Sequence, residues 1–170
     1  MGERKLIIDQ LKFSYEGLFT TSELYALITS WFYEKGYDWN EKINHETVTP
    51  EGRQIHLVLL PWKNISDFYK IQMRLVINFI DVKEIEVRQN GQSLLLNQGL
   101  VKITFDGYVV SDRYDLWINR PLYWFLMLLG QRYFHRDHFE KAELWIKSDV
   151  DDLYQKIKNY LNVFKYTYKA

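Results

Sequence analysis

The stretch from Phe68 to Asp112 constrains the fold more than any other part of the chain. Between Ile71 and Phe79 every odd-numbered residue is apolar, whereas the even-numbered residues include Gln72, Arg74 and Asn78. This period of two predicts a β-strand with one buried face and one face that is at least half exposed to water. The remaining elements are then expected to cover or extend the sheet that contains this strand.

Two chain reversals are predicted in the same stretch. Asn90-Gly91 separates two strand-like segments, and Asn-Gly in this position is the strongest short hairpin signal, because both central residues of a type I′ turn need a positive φ. A second reversal is predicted at Asn97-Gln98-Gly99, before the alternating segment Val101–Asp106. Together these features predict an antiparallel meander.

A helix is predicted early in the chain, between strand-like segments. Thr20 and Glu23 match a capping box, in which each side chain accepts a backbone N–H of the first turn. The helix is expected to run to about Lys35, where Gly36 would supply a left-handed C-cap.

Two further helices are predicted near the end of the chain. Pro121 suits the first turn of one helix, and Ser148 is predicted to cap the last one. Residues 138–147 are interpreted as a loop, with a short strand at 143–146 as the alternative. The order of elements predicts a single α+β domain, residues 1–170, with an antiparallel sheet of six or seven strands and three helices packed mainly on one face.

Composition narrows the classes of function. The chain has 22 basic and 22 acidic residues, which argues against nucleic-acid binding through bulk charge but leaves room for a local basic patch. It has no cysteine, so disulfides, thiolate metal ligands and thiol nucleophiles are excluded. The first residues are charged, and the longest apolar run, Leu122–Leu129, is far shorter than the roughly 18 residues that span a bilayer. We therefore expect a soluble cytoplasmic protein without membrane contact.

The most metal-like cluster in the sequence is His135-Arg136-Asp137-His138. Two histidines three residues apart share a helix face, and Asp137 could add an oxygen ligand. Cations near a helix C-terminus are also favoured by the helix dipole alone, which explains the histidines without a metal. The other two histidines, His45 and His56, lie in predicted strands whose separation the sequence does not fix. A small metal-dependent enzyme using His135 and His138 is the alternative interpretation.

Carboxylates offer little support for catalysis. The run Asp149-Val150-Asp151-Asp152 fits a Mg²⁺ site, but capping of the last helix explains all three carboxylates. Glu84 and Glu86 would share a strand face, which a solvated surface explains equally well. No nucleotide-binding, hydrolase or zinc-protease motif appears. The preferred interpretation therefore assigns no catalytic residue, no metal and no cofactor.

Two segments favour binding instead. The helix after Pro121 is apolar on nearly all sides in its first half, which indicates burial in the core or against a second copy of the chain. The residues predicted for self-association are Tyr123, Trp124, Phe125 and Leu129. The segment from Leu153 to Ala170 has lysines interleaved with aromatic residues and no acidic side chain, a pattern typical of RNA binding. The residues predicted to contact RNA are Lys156, Lys158, Lys165, Tyr166, Tyr168 and Lys169, and the alternative is an amphipathic helix that only covers the sheet.

Three segments, taken together in this order, resemble a family of small, largely uncharacterised archaeal proteins. They are Tyr15–Phe19, Trp31–Tyr37 and Leu96–Ile103. In size and type the chain is also similar to the archaeal factor that dimerises small ribosomal subunits in resting cells. That resemblance implies a non-enzymatic homodimer, a hibernation-type factor that docks on a ribosomal subunit and contacts ribosomal RNA and protein.

Overall fold

The computed structural model describes residues 3–111, 122, 125, 129 and 135–168. In this part of the chain, five strands form one antiparallel sheet in the order β1-β5-β4-β3-β2. The strands are β1 (Arg4–Phe19), β2 (Asp38–Thr49), β3 (Gly52–Asn64), β4 (Tyr69–Gln89) and β5 (Gln92–Ser111). Helix α1 (Thr21–Lys35) connects β1 to β2, and helix α2 (His135–Thr167) follows the sheet in sequence. The α+β class with an antiparallel sheet is confirmed.

One face of the sheet carries the core. The alternation in β4 places Ile71, Met73, Leu75, Ile77 and Phe79 on this face, and all five are buried. Both helices add apolar residues to the same core cluster. These residues are Leu24, Ile28, Trp31 and Phe32 of α1 and Ala142, Ile146, Val150, Leu153, Ile157 and Leu161 of α2. We call this side of the sheet the helix face. The opposite side, which carries Gln72, Arg74 and Asn78, is the open face.

The number of strands predicted from the sequence is wrong, because the chain does not reverse at Asn97-Gln98-Gly99. Strand β5 continues through these residues, and a β-bulge in β4 absorbs the change in register between the pairs Ile80–Leu100 and Lys83–Gln98. A Cβ atom on Gly99 would lie 2.9 Å from the carbonyl oxygen of Ile80. The glycine therefore lets two backbones approach closely, which is a common role of glycine within strands.

The hairpin predicted at Asn90-Gly91 is confirmed. Asn90 has φ 52° and Gly91 has φ 77°, as a type I′ turn requires. The hairpin joins β4 to β5, and the pairing continues outward from the sheet to Gln89–Gln92. This turn is the outer end of the longest antiparallel ladder in the described part of the chain.

Helix α1 ends as predicted but begins differently. Gly36 has φ 72°, and Tyr37 N–H donates to the Phe32 carbonyl at 2.8 Å, which together form a left-handed C-cap. At the other end, the Thr20 side chain makes no capping hydrogen bond. The Thr21 N–H instead donates to Oδ1 of Asn97 at 3.0 Å, so a buried amide of β5 replaces the predicted capping box.

The largest error of the sequence interpretation concerns residues 138–167. These residues belong to one continuous helix, α2, and they include neither a loop nor a strand nor an N-cap at Ser148. Residues 142, 146, 150, 153, 157 and 161 repeat at three- and four-residue spacings and face the sheet. The helix continues through Ser148 despite the local capping pattern, because packing of the buried stripe stabilises a helix more than local propensity does.

The helix predicted after Pro121 lies mostly outside the described residues. Leu122, Phe125 and Leu129 belong to it, and these three are helical. The described part therefore has two helices with defined bounds, where the sequence predicted three. None of the described helices has both the length and the apolar character needed to cross a membrane.

Candidate binding surfaces

The three described residues of the predicted self-association helix are strongly exposed. Leu122 is 72% exposed, Phe125 is 59% exposed and Leu129 is 52% exposed. Residues at positions i, i+3 and i+7 fall on one side of a helix, so these side chains form a single apolar stripe. Tyr123 and Trp124, which were also predicted for self-association, lie outside the described residues.

The predicted RNA-binding residues of α2 do not form one surface. The Nζ atom of Lys156 lies 3.2 Å from Oε2 of Glu34 on α1, so this lysine faces the neighbouring helix. Lys158 is exposed. It is two residues after Lys156, so it lies about 200° away from Lys156 around the helix axis. Lys165 is exposed two turns after Lys158 and therefore lies on the same side.

The aromatic residues of this segment separate in the same way. Tyr166 is exposed, next to Lys165. Tyr168 is half-buried, and its ring stacks on Phe164 with a centroid distance of 5.6 Å. Lys169 lies outside the described residues. The group that remains available to a partner is Lys158, Lys165 and Tyr166, which we call the basic edge of α2.

The acidic run Asp149–Asp152, which was predicted to cap the last helix, instead joins the two helices to each other. Oδ2 of Asp149 accepts a hydrogen bond from the Tyr37 hydroxyl at 2.6 Å, and Oδ2 of Asp152 accepts one from Trp31 Nε1 at 2.7 Å. Lys35 Nζ lies 3.4 Å from the same Asp152 oxygen. These carboxylates are in the middle of α2, and they bind to the C-terminal end of α1 and to Tyr37, the second residue after it. We call this arrangement the helix clamp.

The electrostatics of the helix clamp follow from its hydrogen bonds. Burial raises the pKa of Tyr37 well above its ordinary value, and the hydrogen bond to Asp149 raises it further. The Trp31 N–H lowers the pKa of Asp152, and Lys35 lowers it as well. Asp152 therefore acts as an ionised acceptor at neutral pH. Both Asp149 and Asp152 already have a structural partner.

The other carboxylate pair is also engaged. Glu84 lies 3.6 Å from Nη2 of Arg53, and Glu86 accepts a hydrogen bond from the Ser93 hydroxyl. Both glutamates belong to the part of β4 beyond Val82, where its pairing with β3 ends. This geometry favours the interpretation of Glu84 and Glu86 as part of a solvated strand face over their interpretation as a catalytic carboxylate pair.

The outer ends of β4 and β5 form a projecting hairpin, which we call the arm (residues 83–96). Strand β3 pairs with β4 only as far as Val82, and β1 pairs with β5 only as far as Asn97. Among the residues that the structure describes, the two strands of the arm therefore pair only with each other. Leu94 and Leu95 are exposed there, although no local pattern indicates that these residues would lie outside the core.

The predicted histidine cluster is at the start of α2. Asp137 and His138 are exposed, and the side chain of His135 lies outside the described part of the structure. Across residues 3–111, 122, 125, 129 and 135–168, no three side chains of the metal-ligating types come together in an arrangement suited to a metal ion. The remaining pair, His45 and His56, is brought together on the open face, where β2 and β3 align the two residues directly.

Comparison with known proteins gives no match to a protein-family model and no matching curated protein.

Proposed function

We propose that this protein is a non-enzymatic binding module that forms a homodimer and docks on a larger assembly, with a ribosomal subunit as the preferred partner. The observation that carries the proposal is the exposed stripe of Leu122, Phe125 and Leu129. Large apolar side chains aligned on one side of a helix favour contact with a matching apolar surface. A two-fold dimer supplies that surface from the same residues of a second copy.

The basic edge of α2 supports the docking part of the proposal. Lys158 and Lys165 are exposed on one side of the helix, about 10 Å apart along its axis, and Tyr166 is exposed beside them. Lysines can neutralise backbone phosphates, and an exposed tyrosine ring can stack on an unpaired base. The choice of a ribosomal subunit rests on the resemblance described above and on this chemistry.

The state of the carboxylates also favours binding over catalysis. Asp149 and Asp152 hold Tyr37 and Trp31, and Glu84 is paired with Arg53. These acidic groups, which were the sequence-based candidates for acid chemistry, are occupied by contacts that stabilise the fold. The apolar stripe and the basic edge, in contrast, are exposed.

Co-sedimentation from a native lysate tests the docking. We expect the protein to travel with small ribosomal subunits on a sucrose gradient, and with paired subunits when it is added in excess. A protein that stays at the top of the gradient at low salt would contradict ribosome docking. The same outcome with a stable dimer would leave self-association standing, so the two parts of the proposal are separable.

A salt series tests the basic edge with a matched control. Each phosphate contact contributes about 0.7 to 0.9 to the slope of log K against log salt, so Lys158→Gln with Lys165→Gln should reduce the magnitude of the slope by about 1.4 to 1.8. Lys156→Gln should leave the slope unchanged, because Lys156 faces Glu34. If Lys156→Gln changed the slope as much as the double variant of Lys158 and Lys165, the basic edge would not be the contact surface. Tyr166→Ala should weaken binding at every salt concentration, since stacking is less sensitive to ions.

A further inference from the structure

Two histidines lie side by side on the open face of the sheet. His45 of β2 and His56 of β3 are direct partners in the antiparallel register, and the pairing is regular from Ile43–Val58 to Thr49–Gly52. The neighbouring residue Leu57 is buried in the core on the helix face, so His56 lies on the opposite face. Direct cross-strand partners share a face, with Cβ atoms about 5 Å apart. The backbone itself therefore holds the Cβ atoms of the two histidines next to each other.

The ring of His56 is oriented by a neighbour on its other side. Nδ1 of His56 lies 2.5 Å from Oδ1 of Asn78, its register partner on β4. An amide oxygen only accepts hydrogen bonds, so this contact places the ring proton on Nδ1 and leaves a lone pair on Nε2. Histidines that bind metals typically donate their other ring N–H to a fixed acceptor in this way. His56 thus has the tautomer and the support that a metal ligand needs.

The ring of His45 is also positioned, and it is accessible. His45 is exposed on β2, and its Nε2 lies 3.1 Å from the hydroxyl oxygen of Thr47. Thr47 is two residues further along the strand and therefore on the same face. The acidic neighbour Glu46 points to the other face and pairs with Arg53, so it does not compete for the imidazoles. The site is built from two imidazole side chains.

We propose that His45 and His56 form a binding site for a divalent transition-metal ion of the Zn²⁺, Cu²⁺ or Ni²⁺ type, with Asn78 as the residue that positions His56. Imidazole nitrogen suits these ions, whereas Mg²⁺ and Ca²⁺ prefer oxygen ligands. Two protein ligands leave two positions of a tetrahedral Zn²⁺ ion for water or for a side chain of a docked partner. This site is separate from the apolar stripe, the basic edge and the helical histidines.

Titration of tag-free protein with ZnCl₂, followed by calorimetry, tests the proposal, with MgCl₂ as the comparison ion. The chain has four histidines, which gives two matched double variants. We expect one Zn²⁺ per chain for the parent and for His135→Ala with His138→Ala, and heat at the background level for His45→Ala with His56→Ala. An unchanged isotherm for the strand variant, or no Zn²⁺ binding by the parent, would overturn the proposal.

The role of Asn78 has its own readout. Loss of an outer-sphere partner typically lowers metal affinity about 10- to 100-fold, so Asn78→Ala should weaken Zn²⁺ binding by at least about tenfold. Asn78→Asp keeps an oxygen acceptor and should restore the affinity. Thermal unfolding without metal shows whether each variant is folded. Equal affinities for the parent and Asn78→Ala would remove the positioning role, and nitrogen hyperfine structure from a single imidazole in Cu²⁺ resonance spectra would contradict the two-histidine site.

Discussion

The inner and outer parts of the β4–β5 ladder both have alternating apolar residues in β4, but their surroundings differ. In the inner part, β4 is paired on both sides, and its apolar residues lie under the helices. In the arm, the same two strands pair only with each other within the described part of the chain, and Leu95 is 66% exposed. Alternation of apolar residues therefore shows which residues are strands, whereas coverage by helices decides which strands become core. The surfaces without such cover are the ones available to partners.

The largest expected effect contrasts the two parts of the ladder with one type of substitution. Leu75→Ala in the inner part should lower the free energy of unfolding by about 2 to 5 kcal/mol, because it leaves a cavity in a packed core. Leu95→Ala in the arm should change it by less than about 0.5 kcal/mol. Chemical denaturation of both variants measures the difference. Similar losses for the two would show that the arm is packed in solution.

The turn at the tip of the arm gives the next largest effect. Asn90→Ala with Gly91→Ala forces two residues with a Cβ into positive φ, at about 1 to 2 kcal/mol for each residue. We expect amide protection to be lost in residues 83–96 and kept in the inner part of the ladder, as measured by hydrogen exchange. The control is Gln89→Ala with Gln92→Ala, which changes the flanking pair only. Protection that survives in the arm of the turn variant would contradict this assignment.

A smaller effect on stability is expected from the helix clamp, which joins the two helices that pack on the inner part of the ladder. Tyr37→Phe removes the hydroxyl that donates to Asp149, and a hydrogen bond to a charged group contributes about 1.5 to 3 kcal/mol. Tyr33→Phe is the matched control, because Tyr33, four residues earlier and in the last turn of α1, is exposed. Thermal and chemical unfolding should separate the two variants. A Tyr37→Phe protein as stable as the control would show that the clamp adds no stability.

The smallest effect concerns the ionisation of Asp152. The Trp31 N–H lowers the pKa of this carboxyl in the folded protein, so Trp31→Phe should raise the pKa toward the ordinary value, as followed by carboxyl NMR. Because the pKa of Asp152 is lower in the folded protein than in the unfolded chain, its ionised form stabilises the fold at any pH above the unfolded pKa, which is about 4. This contribution is lost as the pH falls through the pKa of the folded protein. The variant should therefore lose less stability on acidification than the parent. A pKa that does not change in the variant would exclude the hydrogen bond as its cause.

The sequence predicted the features that depend on local geometry. The alternation in Ile71–Phe79, the Asn90-Gly91 turn and the Gly36 C-cap each follow from period or φ, and each is confirmed. The bulge between Ile80 and Lys83 could not be predicted in this way. A glycine such as Gly99 occurs both in turns and where two backbones approach closely, and the sequence around it does not distinguish the two cases. The extra predicted strands come from that ambiguity.

The errors near the C-terminus come from competition between local and distant contacts. Ser148 and the acidic run have the composition of a helix start, but Asp149 and Asp152 bind Tyr37 and Trp31, more than a hundred residues earlier in the chain. No local pattern encodes such a pairing. The His45–His56 alignment likewise depends on the register of β2 and β3, which the sequence alone did not fix.

The mass of the protein in solution tests the central claim most directly. Light scattering at micromolar concentration should give twice the chain mass of 20.7 kDa for the parent and for Leu144→Ser, an exposed leucine on α2 that serves as the control. Phe125→Ser with Leu129→Ser should reduce the mass to that of one chain, because it removes two members of the apolar stripe. A parent that remains at 20.7 kDa across the concentration range, or a stripe variant that remains dimeric, would contradict the account.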